Sequence, residues 1–208
     1  MGVEDRKARE FQRREAEILE AALHLFRGED WQAVTVEQIA QHAEIGKGTI
    51  YKHFASKDEI YARLALDFQR AMLARVRGID ANLPIDARFR AILRIGWEAH
   101  LAAEELHRLV MYCERPEFRH SVSRESAAAF AVLEQERRDL IRGVLEEGIA
   151  KGVFANKPPE LLVFGVHAAF WGSVQIIWGG YLPELDRETY LDELAEFILA
   201  GLRPRSRT

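Results

Sequence analysis

The chain has 208 residues, 48% of them hydrophobic and 30% charged, and a net charge of −4, the composition of an ordinary globular protein with room for one small domain beside a larger one. Its single cysteine, Cys113, excludes an intrachain disulfide and any four-cysteine metal site, and is expected to be a small buried hydrophobe in a reducing compartment. Overall acidity does not announce a nucleic-acid binder, so any basic footprint has to be local.

Two such footprints exist. Arg6, Lys7, Arg9, Arg13 and Arg14 stand against Glu10 alone, and Lys47, Lys52 and Lys57 lie in a stretch without an acid. The first thirty residues carry no apolar run before a cleavage site, so no secretory signal is expected and the cytoplasm is the expected location.

Taken in chain order, the pattern is helical, with no alternating β-branched run and no hairpin dipeptide, which predicts an all-α fold. A first helix is expected to run to about Arg27, with Phe11, Ile18, Ala22, Leu25 and Phe26 on one face and Gly28 just beyond. Thr35-Val36-Glu37-Gln38 reads as a capping box opening a short second helix, whose Val36, Ile39, Ala40 and Ala43 share a face and which must break near Glu44-Ile45-Gly46. Gly46 is the expected cap of a short third helix, with Ile45 and Ile50 at the positions of a hydrophobic staple.

Ser56-Lys57-Asp58-Glu59 reads as another capping box, opening a longer helix with a stripe of Ile60, Tyr61, Leu64, Phe68, Met72 and Val76 that ends at Gly78. Further helices are expected at about Ile85–Cys113, with a break near Glu104 left open, and at Val122–Lys151, Pro159–Trp178 and Glu188–Leu202. The expected organisation is a head at 1–56 and a body at 57–208.

Two short helices joined by a tight turn make a helix-turn-helix pattern. At about 100° per residue, Ile50 and Phe54 face the core of the head, while Gly48, Thr49 and Lys52 point away, flanked by Tyr51 and His53 with Lys47 at the N-terminal end. Such a face is rich in donors and small at Gly48, which suits a DNA major groove. Thr35 and Lys57 stand at helix starts, where free N–H groups and the dipole favour a phosphate. Phosphate contacts of that kind set register and carry no sequence information. The alternative is that the lysines only solvate a small domain and Tyr51 covers its core.

The blocks I-L-E-A-A-L-H-L-F, T-V-E-Q-I-A, I-G-K-G-T-I-Y-K-H-F and S-K-D-E-I-Y, at these separations, resemble the TetR (tetracycline-repressor-like) family over roughly Ile18 to Tyr61. The resemblance implies a three-helix DNA-binding head, a divergent helical ligand-binding body, and a homodimer formed through the last two long helices. It implies DNA contacts at Thr35, Lys47, Gly48, Thr49, Tyr51, Lys52, His53 and Lys57. Two positions depart from the family pattern: Glu44 stands where the turn usually has Gly, and Gly46 where the third helix usually has a Ser-like cap. A non-glycine residue with positive φ at Glu44 carries mild strain, and Glu44 is expected to point away from DNA.

A short reading helix favours two half-sites about one helical turn, 34–36 Å, or a multiple of it, apart, and so a palindromic double-stranded DNA operator. For pairing, the helix at 159–178 offers Gly165, Ala168, Ala169, Gly172 and Ser173, and the helix at 188–202 adds Leu191, Leu194, Phe197, Ile198 and Leu202, a set suited to a four-helix interface. The alternative is that these small residues pack only within one chain. The stretch Leu161 to Pro183 lacks any charge and is long enough to span a bilayer, but His167, Ser173, Gln175 and its glycines favour a soluble helix buried on nearly all sides. Trp97, His100, Tyr112, Phe130, His167, Phe170, Trp171 and Gln175 are the candidate lining of a pocket for a small-molecule effector of hydrophobic or aromatic character.

Glu104/His107 and Glu117/His120 have the Glu-x-x-His spacing of di-iron bundles, but they lie close together around Pro116 and lack the further inward glutamates, so no metal or other cofactor is expected. There is no phosphate loop, nucleophile elbow or HExxH motif, and an enzyme is not expected. A pure interaction module is the remaining alternative; the intact Lys47 to His53 face argues against it.

Overall fold

The structure, a computed structural model, describes residues 3–28, 30–182 and 184–204, and among these there is no strand. Ten α-helices are described: α1 (Val3–Leu25), α2 (Val36–His42), α3 (Lys47–Ile50), α4 (Lys57–Arg77), α5 (Ile85–Ala102), α6 (Glu104–Cys113), α7 (Pro116–Ser121), α8 (Arg124–Ala150), α9 (Pro159–Trp178) and α10 (Arg187–Leu202), with a 3-10 turn at Trp31–Ala33. Pro183, the end of the charge-free stretch, lies outside the described residues. Two compact units divide the chain: Met1–Phe68 with Glu104–Phe130, and Gln69–Ala103 with Ala131–Thr208. The unit holding α1 to α3 therefore also takes the first half of α4 together with α6, α7 and the start of α8.

In the first unit the apolar stripes meet as their spacing dictates: Ile18, Ala22, Phe26, Ile39, Ile50, Phe54, Ile60 and Tyr61 are all buried. A helix of four residues such as α3 cannot stand alone in water, so burial of Ile50 and Phe54 holds it. The Thr35 box closes both ways, the hydroxyl accepting from Gln38 N and the Gln38 amide oxygen accepting from Thr35 N at 2.7 Å. At the far end of α2, Ile45 N donates to Ala40 O at 3.0 Å and Glu44 N to Gln41 O at 3.1 Å, a Schellman ending with Glu44 in the left-handed region at φ 54°.

The box expected at Ser56 is only half formed. Ser56 Oγ accepts from Glu59 N, but the Glu59 carboxylate reaches across to the start of α8, accepting from Ser123 N at 2.5 Å and Ser126 Oγ at 2.6 Å. Likewise Arg108 of α6 donates to the carbonyls of Phe26 and Arg27, ending α1 from outside its own sequence. The break left open near Glu104 falls at Ala103 (φ −143°, ψ 92°), and α7, with Pro116 in its first turn, is an element the periodicity does not indicate.

The second unit packs α5, α9 and α10 around Phe89, Leu93, Trp97, Leu145, Phe154, Leu162, Val174, Leu191 and Leu199. Trp97 is fully buried, and its indole N–H donates to Ser173 Oγ at 2.8 Å, which in turn donates to Phe170 O at 2.6 Å. The expectation that the charge-free helix is buried on nearly all sides is corrected. Only 22% of the most apolar window of α9 is buried; Leu162, Val166, Ser173 and Val174 face the core, whereas Leu161, Phe164, Ala168 and Ile176 are exposed. By length and composition alone α9 could cross a membrane. Beyond Glu160 in its first turn α9 carries no charge and so no polar stripe to mark its outer face, which is why its sequence does not distinguish core from exposed surface.

Candidate nucleic-acid interface

The turn between α2 and α3, held by the Schellman bonds at Glu44, presents Lys47, Gly48, Tyr51 and Lys52 exposed and Thr49 half-buried, while Ile50 and Phe54 point inward. A Cβ added at Gly48 would meet nothing within 4 Å, so glycine is not demanded there by the chain's own packing. The open space leaves the backbone of α3 approachable. Lys52 makes no ion pair among the described residues, and its ammonium is available to a phosphate or base.

Lys47 is paired with Glu37 of α2, and its Nζ lies 5.8 Å from the Tyr51 ring centroid. The hydrogen bond to Glu37 raises the Lys47 ammonium and lowers the Glu37 carboxyl from their ordinary values. Both partners are solvent-exposed, so a phosphate can exchange for the carboxylate. Nothing in the spacing of the two residues signals that pairing, because it depends on the angle between α2 and α3.

Lys57 turns back on the loop before α2, donating to Gln32 O at 2.6 Å and Val34 O at 2.9 Å, with its Nζ 5.4 Å from the Tyr61 ring. Burial lowers its ammonium from the ordinary value. Two of its three donors thus fix the backbone that leads to Thr35. The Thr35 hydroxyl is engaged with the Gln38 amide oxygen at 3.1 Å. His53 packs against the half-exposed Phe11 of α1 with ring centroids 4.0 Å apart and the rings tilted by 33°, and its Nδ1 is buried without a hydrogen-bond partner among the described residues.

The candidate effector residues fall in two places. In the second unit Trp97, His100, Phe170, Trp171 and His167 form a continuous aromatic chain: Trp97 stacks on Phe170 at 6.1 Å, His100 meets Phe170 at 5.8 Å and Trp171 at 5.0 Å, and His167 meets Trp171 at 5.8 Å. Trp97 and His100 are buried, Phe170 and Trp171 half-buried, and His167 and Gln175 exposed. Gly96 admits this arrangement, since a Cβ there would lie 2.7 Å from the Phe170 ring. Tyr112 and Phe130 belong to the first unit, where Tyr112 packs edge-on against Trp31 at 5.3 Å and Tyr61 at 5.8 Å, and Phe130 meets Phe118 at 6.4 Å. A cleft of about 240 Å³ in the second unit is lined by Arg94, Trp97, Glu98, Leu101, Arg187 and Leu191 among others.

The Glu-x-x-His pair on α6 does not converge on a metal. Glu104 is exposed and faces Arg108 at 3.8 Å, whereas His107 is turned into the core. Among the described residues no group of three or more His, Cys, Asp or Glu is arranged to hold a metal ion. Cys113 is fully buried, and burial pushes its thiol well above the ordinary value.

Residues 18–64 match the family model described as bacterial regulatory proteins, tetR family. The HTH-type transcriptional repressor KstR2 of Rhodococcus jostii (strain RHA1) is 32% identical over 191 residues, covering 91% of this chain and 91% of that protein. The chain belongs to the TetR family. A second relative, the HTH-type transcriptional regulator YhgD of Bacillus subtilis (strain 168), is 27% identical over 190 residues, 89% of this chain and 94% of that one. The solved structure of the ketosteroid transcriptional regulator KstR2 of Mycobacterium tuberculosis superposes with a TM-score of 0.71 at 24% identity, covering 92% of this chain and 96% of that chain, and shares the fold. The TetR-family chain is accordingly a DNA-binding transcriptional regulator and not an enzyme, with a helix-turn-helix formed by α2 and α3.

Proposed function

We propose that this regulator is a cytoplasmic repressor that binds a palindromic operator as a homodimer and is released by a small hydrophobic or aromatic ligand. The observation that carries the reading is the exposed α3 face, where Lys47, Gly48, Tyr51 and Lys52 stand open to solvent on a core-locked helix. Thr49, Tyr51, Lys52 and His53 read bases or flank them, Gly48 admits the groove, and Thr35, Lys47 and Lys57 hold phosphates. The repressor KstR2 supports the sign of regulation.

Pairing of two copies is supported by the uncovered apolar faces of α9 and α10, where Leu161, Phe164, Ile176 and Phe197 are exposed and Gly165, Gly172 and Gly201 look into open space. Large apolar side chains left in water on adjoining helices mark an interface. The effector pocket centres on Trp97, His100, His167, Phe170, Trp171 and Gln175, with Tyr112 and Phe130 as further candidates in the other unit. A relative described as a ketosteroid regulator favours a ligand of hydrophobic class. Ligand binding selects a conformation in which α4 shifts and the spacing of the two heads no longer fits one operator.

Selection of duplexes from a random library by the purified protein at a stated moderate salt tests the reading. The expected product is a palindrome. A folded, dimeric protein that enriches no sequence would overturn the unliganded-repressor reading.

A further inference from the structure

The part of α1 that precedes the region matching the family is not used by the fold's core, yet it is described as helix from Val3 and is densely basic. Arg6, Lys7, Arg9 and Arg13 are exposed and Arg14 half-buried. Some of this charge is locally answered: Arg13 and Arg14 both pair with Glu17, at 3.2 and 2.6 Å, and Arg9 donates to the Asp5 carbonyl at 3.2 Å. Arg6 and Lys7 make no ion pair among the described residues.

What places this segment is Phe11. At about 100° per residue it continues the buried stripe of Ile18 and Ala22, two turns before the core begins. Its ring lands on His53, immediately after the exposed α3 face, with centroids 4.0 Å apart. The early turns of α1 are thereby fixed beside the DNA-reading turn instead of projecting into solvent. Lys7 is four residues before Phe11 on the same face, about 6 Å further along, and Arg6 is its neighbour.

We infer that the N-terminal turns of α1 form a second DNA contact, in which Lys7 and Arg6 take backbone phosphates flanking the segment read by α3, positioned by the Phe11–His53 ring contact. The contact is electrostatic and sequence-independent, as side chains directed at phosphates are. It rests on the reading of α3 as the operator-facing helix, and it makes the footprint of each head longer than α3 alone accounts for.

The test uses the full chain, the selected palindromic duplex with one further helical turn of flank on each side, and a random-sequence duplex of the same length. Binding constants are measured over a range of salt for the wild type, for an Arg6→Gln/Lys7→Gln double variant, for Phe11→Ala and for Gly48→Leu, with helix content checked by circular dichroism. Glutamine keeps the helix and removes the charge. The double variant is expected to bind both duplexes more weakly, with a plot of log K against log salt shallower by about 0.9 per phosphate released, roughly 2 per chain. Phe11→Ala is expected to reproduce part of that loss with every charge in place. Gly48→Leu loses discrimination between the two duplexes and keeps the steepness contributed by α1. A double variant with the wild-type slope, from a wild type that binds the palindrome, overturns this inference and leaves the operator reading standing. A wild type that binds neither duplex overturns both.

Discussion

Gly48 and His107 are residues where the local environment alone sets an expectation. The space above Gly48 is empty in the chain, so Gly48→Leu should fold with unchanged thermal stability, while on the proposed α3 interface binding to the selected duplex falls about tenfold or more, about 1.4 kcal/mol, because the new side chain would stand in the way of the groove. Titration of the variant with labelled duplex reads this directly, and undiminished binding would remove α3 from the interface. His107 is buried in α6, and burial pushes its imidazole down to about 4. In the unfolded chain it titrates near 6.5, so from about pH 6.5 to 4 the unfolded state holds the extra proton. Stability is then whole above that window and drains as pH falls through it, by about 2 kcal/mol at pH 5. Urea unfolding at pH 7 and pH 5 should show that loss in the wild type and a smaller one in His107→Gln; equal losses would mean that His107 accepts its proton in the folded state.

At the scale of elements, the helix ends separate what neighbours along the chain decide from what neighbours in space decide. Thr35 and Gln38 close their box because both partners lie within one turn. Glu59 has the same spacing from Ser56, yet its carboxylate serves the start of α8. Glu59→Ala should therefore lower stability by about 1 to 2 kcal/mol through loss of an α8 cap, and Ser126→Ala, measured alone by chemical denaturation, should show part of the same loss. A Glu59→Ala chain as stable as the wild type would show that water replaces the carboxylate at no loss. The same distinction explains the rest of the legible pattern. The stripe of Ile60, Tyr61 and Leu64 and the break near Glu44-Ile45-Gly46 were readable because each repeats or interrupts a period. The α7 helix was not, since its six residues offer a single buried anchor, Phe118.

For the whole molecule, the exposed faces of α9 and α10 are the feature that a single chain leaves unresolved. Phe164 and Phe197 are 71% and 74% exposed, which is unfavourable for large apolar rings in water and would be relieved by the proposed pairing with a second copy. Phe164→Glu and Phe197→Glu should each shift the protein from dimer to monomer in sedimentation experiments at micromolar concentration, and should weaken binding to the palindrome while leaving helix content intact. A wild type that sediments as a monomer would overturn the proposed pairing, and variants that remain dimeric would place the pairing surface elsewhere. The membership of each unit depends on folding: α6 and α7, from the middle of the chain, belong with the head residues of α1 to α3.

That the protein is all helical, where the helix-turn-helix lies, and which side of α3 faces inward were all legible in the amino-acid order, because each follows from period, cap and turn residues within a few positions of one another. That order also carried the family, through four blocks concentrated in the head. Tertiary structure alone decided the partners of long side chains: Lys47 with Glu37, Lys57 with the carbonyls of Gln32 and Val34, Arg108 with the end of α1, and Phe11 with His53. Those pairings depend on the angles at which helices cross, and crossing angles come from the packing of many side chains at once, which no short window of sequence contains.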